Sequence, residues 1–309
     1  MNEPITRRKL LADITGGALL AASGLLAEPL SAAAQAAQRF ASAPFDIHQH
    51  LESTDASYSP LRAFDELIGK DFAIRTKIMD ENGIGQSVMM VSTQYRRTEG
   101  IKNTMQVNDL VAEYVARHSD RFPVGVGTVE VTHGEASLKE LERMAKDLKF
   151  RGVVWHHTHS GVQVDDAFMR PILKQVAALR LIPFIHVGLK PYESLSKLEV
   201  LAEEFPQVTF VALAALARSD DADEALNVGR RQKNILFDTG PVIYTREKGV
   251  EAFVKLIGPD RLLLGSDLYA SRPSYRRATT TLEIVKNSIV GAEDKAKILY
   301  GNARRLLGV

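Results

Sequence analysis

The chain has 309 residues, of which 45% are hydrophobic and 25% are charged, a composition typical of a globular protein with one large domain or two ordinary ones. Its formal net charge is only +1, which gives no strong field to attract nucleic acid or an anionic membrane. It contains no cysteine, so disulfides, a cysteine nucleophile and thiolate metal ligands are excluded. Any metal ion must therefore be bound by His, Asp or Glu.

The first 38 residues have the pattern of an export signal rather than of a folded domain. A basic segment, Thr6-Arg7-Arg8-Lys9-Leu10-Leu11, precedes an apolar run at 14–26 that is short for a membrane span. Small residues at 32–36 offer cleavage sites. The pattern resembles a twin-arginine signal, with an uncleaved anchor or an ordinary secretory signal as alternatives. We expect a periplasmic protein whose mature domain spans 39–309 and has no stable membrane insertion once the signal is removed.

From residue 39 onward, short apolar strands alternate with amphipathic helical patterns. Most of the strands are apolar on both faces, as is typical of parallel strands covered by helices. Eight such units predict an α/β fold of the (β/α)8 TIM-barrel type in a single domain. An open doubly wound sheet is the alternative, but the glycines at 125 and 127 do not form its usual phosphate loop. The predicted strands are Phe45–His50, Ser87–Ser92, Pro123–Val129, Gly152–His156, Ile182–Val187, Thr209–Leu213, Ile235–Asp238 and Leu262–Ser266.

The helices are predicted from apolar residues at helical spacing within 107–115, 138–148, 195–205 and 250–257. Pro206 ends the third of these patterns, and Gly258-Pro259 ends the fourth. Thr132-His133-Gly134-Glu135 has the spacing of a capping box, which predicts that Thr132 caps the helix that follows.

Four polar side chains fall at the carboxyl ends of predicted strands, where a parallel barrel carries its chemistry. His48 and His50 are two apart on the first strand and should point the same way. His186 ends the fifth strand and Asp267 follows the eighth. Each residue taken alone has an ordinary structural explanation, as a core histidine or a helix-capping carboxylate. Taken together they predict three nitrogens and one oxygen around a divalent metal, a set that zinc favours.

The same segments resemble a known family. Asp46-x-His48-x-His50, Phe184-Ile185-His186, Leu264-Gly265-Ser266-Asp267 and the closing 298–306 segment are similar to the amidohydrolase-related family, the TIM-barrel-like metal-dependent hydrolases that include aminocarboxymuconate semialdehyde decarboxylase. The resemblance implies His48, His50, His186 and Asp267 as ligands, most often for zinc.

One position departs from the family pattern. The family usually has a histidine at the end of the sixth strand, and in its decarboxylase branch that histidine helps to activate the metal-bound water. This chain has Ala214 at the expected position, or Ala215 with a shift of one residue. Asp267 could take over the proton transfer, or His156 could supply an imidazole from the fourth strand.

Neighbouring polar residues are weaker candidates. In the cluster Trp155-His156-His157-Thr158-His159, the family pattern favours His156 as the inward residue, and His157 and His159 are expected in a solvated loop. Arg96 and Arg97 follow the second strand and could bind a substrate carboxylate, with a solvated arginine pair as the alternative. Nothing in the sequence selects among further residues on the loops at the same end, namely Arg218, Asp238, Tyr269 and Arg272.

These features predict a metal-dependent hydrolase of the amidohydrolase class, acting on an ester, lactone or amide bond of a small molecule through a metal-activated water. In this mechanism Asp267 takes the proton and returns it to the leaving group. Two alternatives remain open: a non-oxidative decarboxylase of a small carboxylic acid on the same barrel, and a binding role without catalysis. The expected partner is a small-molecule substrate, not nucleic acid, and a homodimer is left open.

Overall fold

The computed structural model describes residues 35, 38–52, 62–217, 219–240, 247–270 and 275–309. The predicted export signal therefore lies almost entirely outside the described residues, as do Arg218 and Arg272. Among the residues that are described, no helix has both the length and the apolar composition needed to cross a membrane.

Within the part of the chain that the structure describes, nine strand segments form one parallel sheet. The first predicted strand is divided into two short segments, β1 (Phe45–Asp46) and β2 (His50–Leu51), which both pair with β3 (Gln86–Val91), and from β3 onward each strand pairs with the next along the chain. The other segments lie within the predicted strands or differ from them by a residue or so, so the eight predicted strands correspond to the barrel strands. The strands are β1 (Phe45–Asp46), β2 (His50–Leu51), β3 (Gln86–Val91), β4 (Val124–Gly127), β5 (Gly152–Trp155), β6 (Ile182–His186), β7 (Phe210–Leu213), β8 (Ile235–Asp238) and β9 (Leu262–Leu263).

Helices follow the strands and cover the outside of the sheet. The helices are α1 (Arg62–Asn82), α2 (Ile101–Arg117), α3 (Glu135–Lys146), α4 (His157–Ser160), α5 (Met169–Leu179), α6 (Leu195–Glu204), α7 (Ser219–Arg231), α8 (Glu247–Leu256), α9 (Tyr275–Asn287), α10 (Ala292–Ala296) and α11 (Asn302–Leu307). The four predicted apolar patterns correspond to α2, α3, α6 and α8, and the apolar stripes of α2, α3 and α6 are buried or half-buried against the core.

The predicted capping box before α3 is wrong. Thr132 lies inside a 3₁₀ turn at Val131–His133, and the residue that precedes α3 is Gly134, with a φ of 54° and no side-chain cap. A glycine adopts this left-handed conformation without strain, so the chain turns there and the threonine is not in a position to cap.

The barrel closes where the first and last strands meet. The amide of Ile47 donates to the carbonyl of Leu264 at 2.8 Å, and the amide of His50 donates to the carbonyl of Leu268 at 3.0 Å. These bonds join the two edges of the parallel sheet, so the fold is the predicted (β/α)8 barrel.

The carboxyl-terminal segment forms hydrogen bonds to the last barrel strand and to the residues on either side of it. The amide group of the Asn302 side chain donates to the carbonyl of Leu262 at 2.8 Å and to that of Pro259 at 2.7 Å. The carbonyl of Ile298 accepts from the amide of Leu264 at 3.0 Å. These contacts fix the strand that leads to Asp267.

Candidate metal centre

Three predicted histidines meet at the carboxyl ends of the barrel strands. The Nε2 atoms of His48 and His50 are 3.0 Å apart, and those of His50 and His186 are 3.2 Å apart. All three side chains are buried, and a ligand atom from each lies within 4.8 Å of the others. The structure thus brings together imidazoles from β2, from β6 and from the turn between β1 and β2.

Outer hydrogen bonds direct these imidazoles toward a common point. Nδ1 of His50 donates to the carbonyl oxygen of Val91 at 2.7 Å, which leaves Nε2 without a proton in the neutral ring. Nδ1 of His48 lies 2.5 Å from Oδ2 of Asp238. Such partners hold the tautomer and the ring orientation of metal-binding histidines.

The surroundings shift the pKa values of the three imidazoles in different directions. Burial and the neighbouring His48 lower the pKa of His50 well below its ordinary value, and burial with His156 does the same to the pKa of His186. Burial also acts to lower the pKa of His48, but Asp238 and Asp267 reverse this, and the pKa is raised.

Asp267 lies beside His48 and His50. Its Oδ1 is 3.4 Å from Nε2 of His48 and 3.8 Å from Nε2 of His50, and its side chain is 15% exposed. The residue has a φ of 55°, a left-handed conformation that aspartate tolerates better than most residues. The preceding Ser266 fixes this turn, because its amide donates to Asp46 Oδ1 at 3.0 Å and its hydroxyl to Asp46 Oδ2 at 2.5 Å.

This donor set fits a divalent cation. With Nδ1 of each ring directed at an oxygen atom, the Nε2 atoms of His48 and His50 lie 3.0 Å apart, and the Asp267 carboxylate faces the same point, where a cation would attract all three groups. Three imidazole nitrogens with one carboxylate oxygen form a shell that zinc and other first-row divalent metals accept.

Ala214 occupies the position at which the family usually has a histidine, after the sixth barrel strand, which is β7 in this structure. Ala214 follows β7 with a φ of 60°, and its amide donates to Oδ1 of Asp238 at 2.7 Å. Gly265 packs against the same carboxylate, since a Cβ at that position would lie 2.5 Å from Asp238 Oδ2. Asp238 is thus held by a backbone amide on one oxygen and His48 on the other. The sequence offered it only as one unselected residue among several.

His156 points into the barrel mouth, as the family pattern suggested. Its ring stacks on His186 with centroids 4.5 Å apart and on His159 with centroids 3.9 Å apart. Nδ1 of His156 contacts Oε1 of Glu193, without the alignment of a regular hydrogen bond. Glu193 is 1% exposed and also accepts from the amide of Thr158 at 2.9 Å. No spacing or motif in the sequence had indicated Glu193.

The expectation of a solvated loop at His157 and His159 is wrong for His157 and only partly right for His159. His157 is fully buried, with Nδ1 3.1 Å from the carbonyl oxygen of Val162, and His159 is half-buried against His156. The strand ends at Trp155 and α4 begins at His157, so strand alternation stops there and the chain turns His157 into the core.

The guanidinium of Arg97 donates hydrogen bonds to a carboxylate and to two backbone carbonyls of the protein itself. Its Nε donates to Glu130 at 2.7 Å, its Nη1 to the carbonyl of Tyr95 at 2.8 Å and its Nη2 to that of Thr93 at 2.7 Å. Arg96 is exposed on the same loop. The predicted binding of a substrate carboxylate by this pair stays a prediction, and for Arg97 it would require an exchange of these partners.

Tyr269 stacks on the ring of His50, with centroids 5.0 Å apart.

Comparison with solved structures finds the same fold in two decarboxylases and a hydratase. The 5-carboxyvanillate decarboxylase of Sphingomonas paucimobilis matches with a TM-score of 0.66 and 17% identity, over 87% of this chain and 99% of that chain. A dihydroxybenzoic acid decarboxylase of Polaromonas sp. JS666, solved with manganese and 2-nitroresorcinol, matches with a TM-score of 0.62 and 20% identity, over 86% and 97%. The 4-oxalomesaconate hydratase of Rhodopseudomonas palustris matches with a TM-score of 0.62 and 19% identity, over 86% and 95%.

Sequence comparison assigns the family. The curated proteins gave no match. The sequence model described as amidohydrolase matches residues 45–309, which is nearly the whole of the predicted mature domain. This chain, with its imidazole cluster at the mouth of a (β/α)8 barrel, therefore belongs to the amidohydrolase family.

Proposed function

We propose that this protein is a metal-dependent, non-oxidative decarboxylase of a small carboxylic acid of the hydroxylated benzoic acid class. The observation that carries the proposal is the cluster of His48, His50 and His186 with Asp267 beside it at the barrel mouth. Several proteins of the same fold act on such acids, including a 2,6-dihydroxybenzoate decarboxylase complexed with 2,6-dihydroxybenzoate. This reverses the order expected from the sequence, in which hydrolysis came first.

The ion itself is part of the proposal. A divalent cation bound by these atoms would act as a Lewis acid that stabilises negative charge on substrate oxygens. Zinc is expected from the nitrogen-rich donor set, whereas manganese is present in the dihydroxybenzoic acid decarboxylase of the same fold. Elemental analysis of the purified protein decides between them.

The side chains of this protein then have separate roles. Decarboxylation breaks the bond between the ring carbon and the carboxylate, releases CO2 and places a proton on the same ring carbon. Asp267 is partly exposed and adjacent to the histidines, so in this proposal its carboxylate takes up a proton from solvent and delivers it to that carbon, which returns the carboxylate to its starting state. Asp238 holds the ring of His48 through Nδ1, and Tyr269 covers the face of His50.

His156 is the second proton-transfer group in the proposal. Its contact with Glu193 occupies Nδ1, which leaves Nε2 as the edge that can exchange a proton with substrate or solvent. Because the ring stacks on His186, it lies next to the cluster without being a member of it. This arrangement offers an imidazole at the site even though Ala214 stands where the family usually has one.

Hydrolysis of an ester, lactone or amide is the second candidate, favoured by the description of the matching family model as amidohydrolase. In that reaction Asp267 would accept a proton from the attacking water and return it to the leaving group. The two candidates use the same cluster but differ in product.

The test is a pair of assays on the purified protein loaded separately with zinc and manganese. One assay follows CO2 release from a panel of hydroxybenzoic acids, and the other follows acid release from a panel of esters, lactones and amides. CO2 release that His186→Ala abolishes would support the proposal. Hydrolysis without CO2 release would contradict the decarboxylase proposal and support the second candidate. A bound ion with turnover in neither assay would favour a binding role.

A further inference from the structure

A fully buried arginine lies under the histidine pair. Arg75 of α1 is 0% exposed and forms a bidentate ion pair with Asp71, with Nε–Oδ1 and Nη2–Oδ2 distances that are both 2.7 Å. The hydroxyl of Tyr114 donates to Asp71 Oδ1 at 2.9 Å. A buried cation needs such partners because it has lost its hydration.

The remaining donors of Arg75 cross the seam between the first and last barrel strands. Nη2 donates to the carbonyl of His50 at 2.8 Å, and Nη1 donates to the carbonyl of Leu268 at 3.2 Å and to Gln49 Oε1 at 3.1 Å. His50 is a candidate ligand, and Leu268 directly follows another, Asp267. One guanidinium thus contacts the backbone on both sides of the seam.

A second set of hydrogen bonds joins the same two segments. The side-chain amide of Gln49 donates to Asp46 Oδ2 at 2.8 Å, and Asp46 accepts from both the amide and the hydroxyl of Ser266. Ser266 directly precedes Asp267. The contacts therefore form a closed ring that includes the residues on both sides of Asp267.

Backbone bonding alone holds this part of the seam weakly. Leu268 accepts from the amide of His50 at 3.0 Å, but its own amide lies 3.4 Å from the carbonyl of His48. The planar guanidinium of Arg75 can reach two carbonyls and Asp71 together, whereas a lysine ammonium in its place would lack the fixed fork geometry.

We propose that Arg75 is a positioning residue for the metal centre, which fixes the separation of the His48–His50 pair from Asp267 and thereby sets the affinity for a divalent ion. The inference rests on the proposed metal-dependent function. A positioning role differs from a purely structural role in its consequence. When Arg75 is replaced, the loss of ion affinity should exceed what the loss of stability alone would cause.

The test compares Arg75→Lys with a matched control, Arg143→Lys. Arg143 also pairs with carboxylates, Glu140 and Asp109, but it lies on α3 away from the histidines. Binding of Mn²⁺ and of Zn²⁺ is measured by competition with a chelator at a temperature well below the unfolding midpoint of each variant. We expect Arg75→Lys to weaken binding by about tenfold or more, the range for lost outer partners of a metal site, and Arg143→Lys to leave it unchanged.

A milder variant covers the case in which Arg75→Lys does not fold. Tyr114→Phe removes only the hydroxyl that donates to Asp71, and should weaken ion binding by a smaller factor. Ion affinity equal to that of the wild type in Arg75→Lys, or in Tyr114→Phe when only that variant folds, would overturn the inference.

Hydrogen exchange in the metal-free protein separates this inference from the proposed function. The amide of His50 should exchange faster in Arg75→Lys than in the wild type, and unchanged exchange would overturn the positioning role. If the wild type binds neither ion, the metal site itself is wrong, and the role of Arg75 toward it is wrong as well.

Discussion

Replacement of Asp238 by asparagine should weaken ion binding although the side chain keeps its size. In the wild type, one carboxylate oxygen accepts from the amide of Ala214 at 2.7 Å and the other contacts Nδ1 of His48 at 2.5 Å. An asparagine oxygen that stays with Ala214 places the NH₂ group against Nδ1 of His48. That ring must then carry its proton on Nε2, which can no longer bind a metal. In the opposite orientation the NH₂ group faces the backbone N–H of Ala214, so two donors oppose each other and the hydrogen bond to Ala214 is lost.

The expected size of this effect follows from the loss of one well-oriented nitrogen. Outer partners of metal-binding histidines typically contribute 10- to 100-fold in affinity, which corresponds to about 1.4–2.7 kcal/mol. Chelator competition with Zn²⁺ or Mn²⁺ measures it directly. Glu140→Gln is the matched control, because Glu140 is also buried and hydrogen-bonded, but to Asn108 and Arg143 on the outer helices. Equal ion affinity in Asp238→Asn and the wild type would refute the assignment of His48 as a ligand oriented by Asp238.

Three further predictions concern other parts of the chain. Ala214→His should change ion affinity or turnover, because histidine tolerates the left-handed backbone at this position and would add an imidazole at the barrel mouth; no change in either would place the side chain elsewhere. Burial lowers the pKa of His157 from 6.5 to about 4, so the unfolded chain binds a proton in this interval that the folded protein does not. The wild type should therefore lose up to about 3 kcal/mol of stability as the pH falls from 6.5 to 4, and His157→Leu should lose less over the same range in acid-dependent chemical denaturation; parallel curves would contradict this. Arg7→Lys combined with Arg8→Lys should trap the precursor inside the cell, and unchanged export in a fractionation experiment would exclude a twin-arginine route.

The barrel and the histidine triad were predictable because each depends on a local pattern. Parallel strands that are covered on both faces require continuous apolar runs, and such runs located most of the strands. In a (β/α)8 barrel the carboxyl ends of all strands meet at one rim, so His48, His50 and His186 could be placed together without knowledge of the loops.

The supporting residues were not predictable for a physical reason. Asp238 and His48 are 190 positions apart, and Glu193 contacts His156 from a loop after another strand. An aspartate after an apolar strand has the same local pattern whether it orients a histidine or caps a helix. Arg75 occupies a helix position at which an arginine is usually solvated, and only the tertiary structure shows that it is buried.

The departure at Ala214 can be explained by the same supporting contacts. A side chain at this position is not required to hold Asp238, because the backbone amide of Ala214 provides that hydrogen bond. What a histidine there would add is a group for proton transfer, and this chain already has an imidazole at the rim in His156, held next to Glu193 and stacked on His186. Exchange of the sixth-strand histidine for alanine therefore removes neither a member of the imidazole triad nor the orientation of His48. On this argument a variant that lacks the His156 imidazole should bind the ion like the wild type and yet turn over substrate more slowly, whereas loss of ion binding in His156→Gln would place this residue within the metal centre.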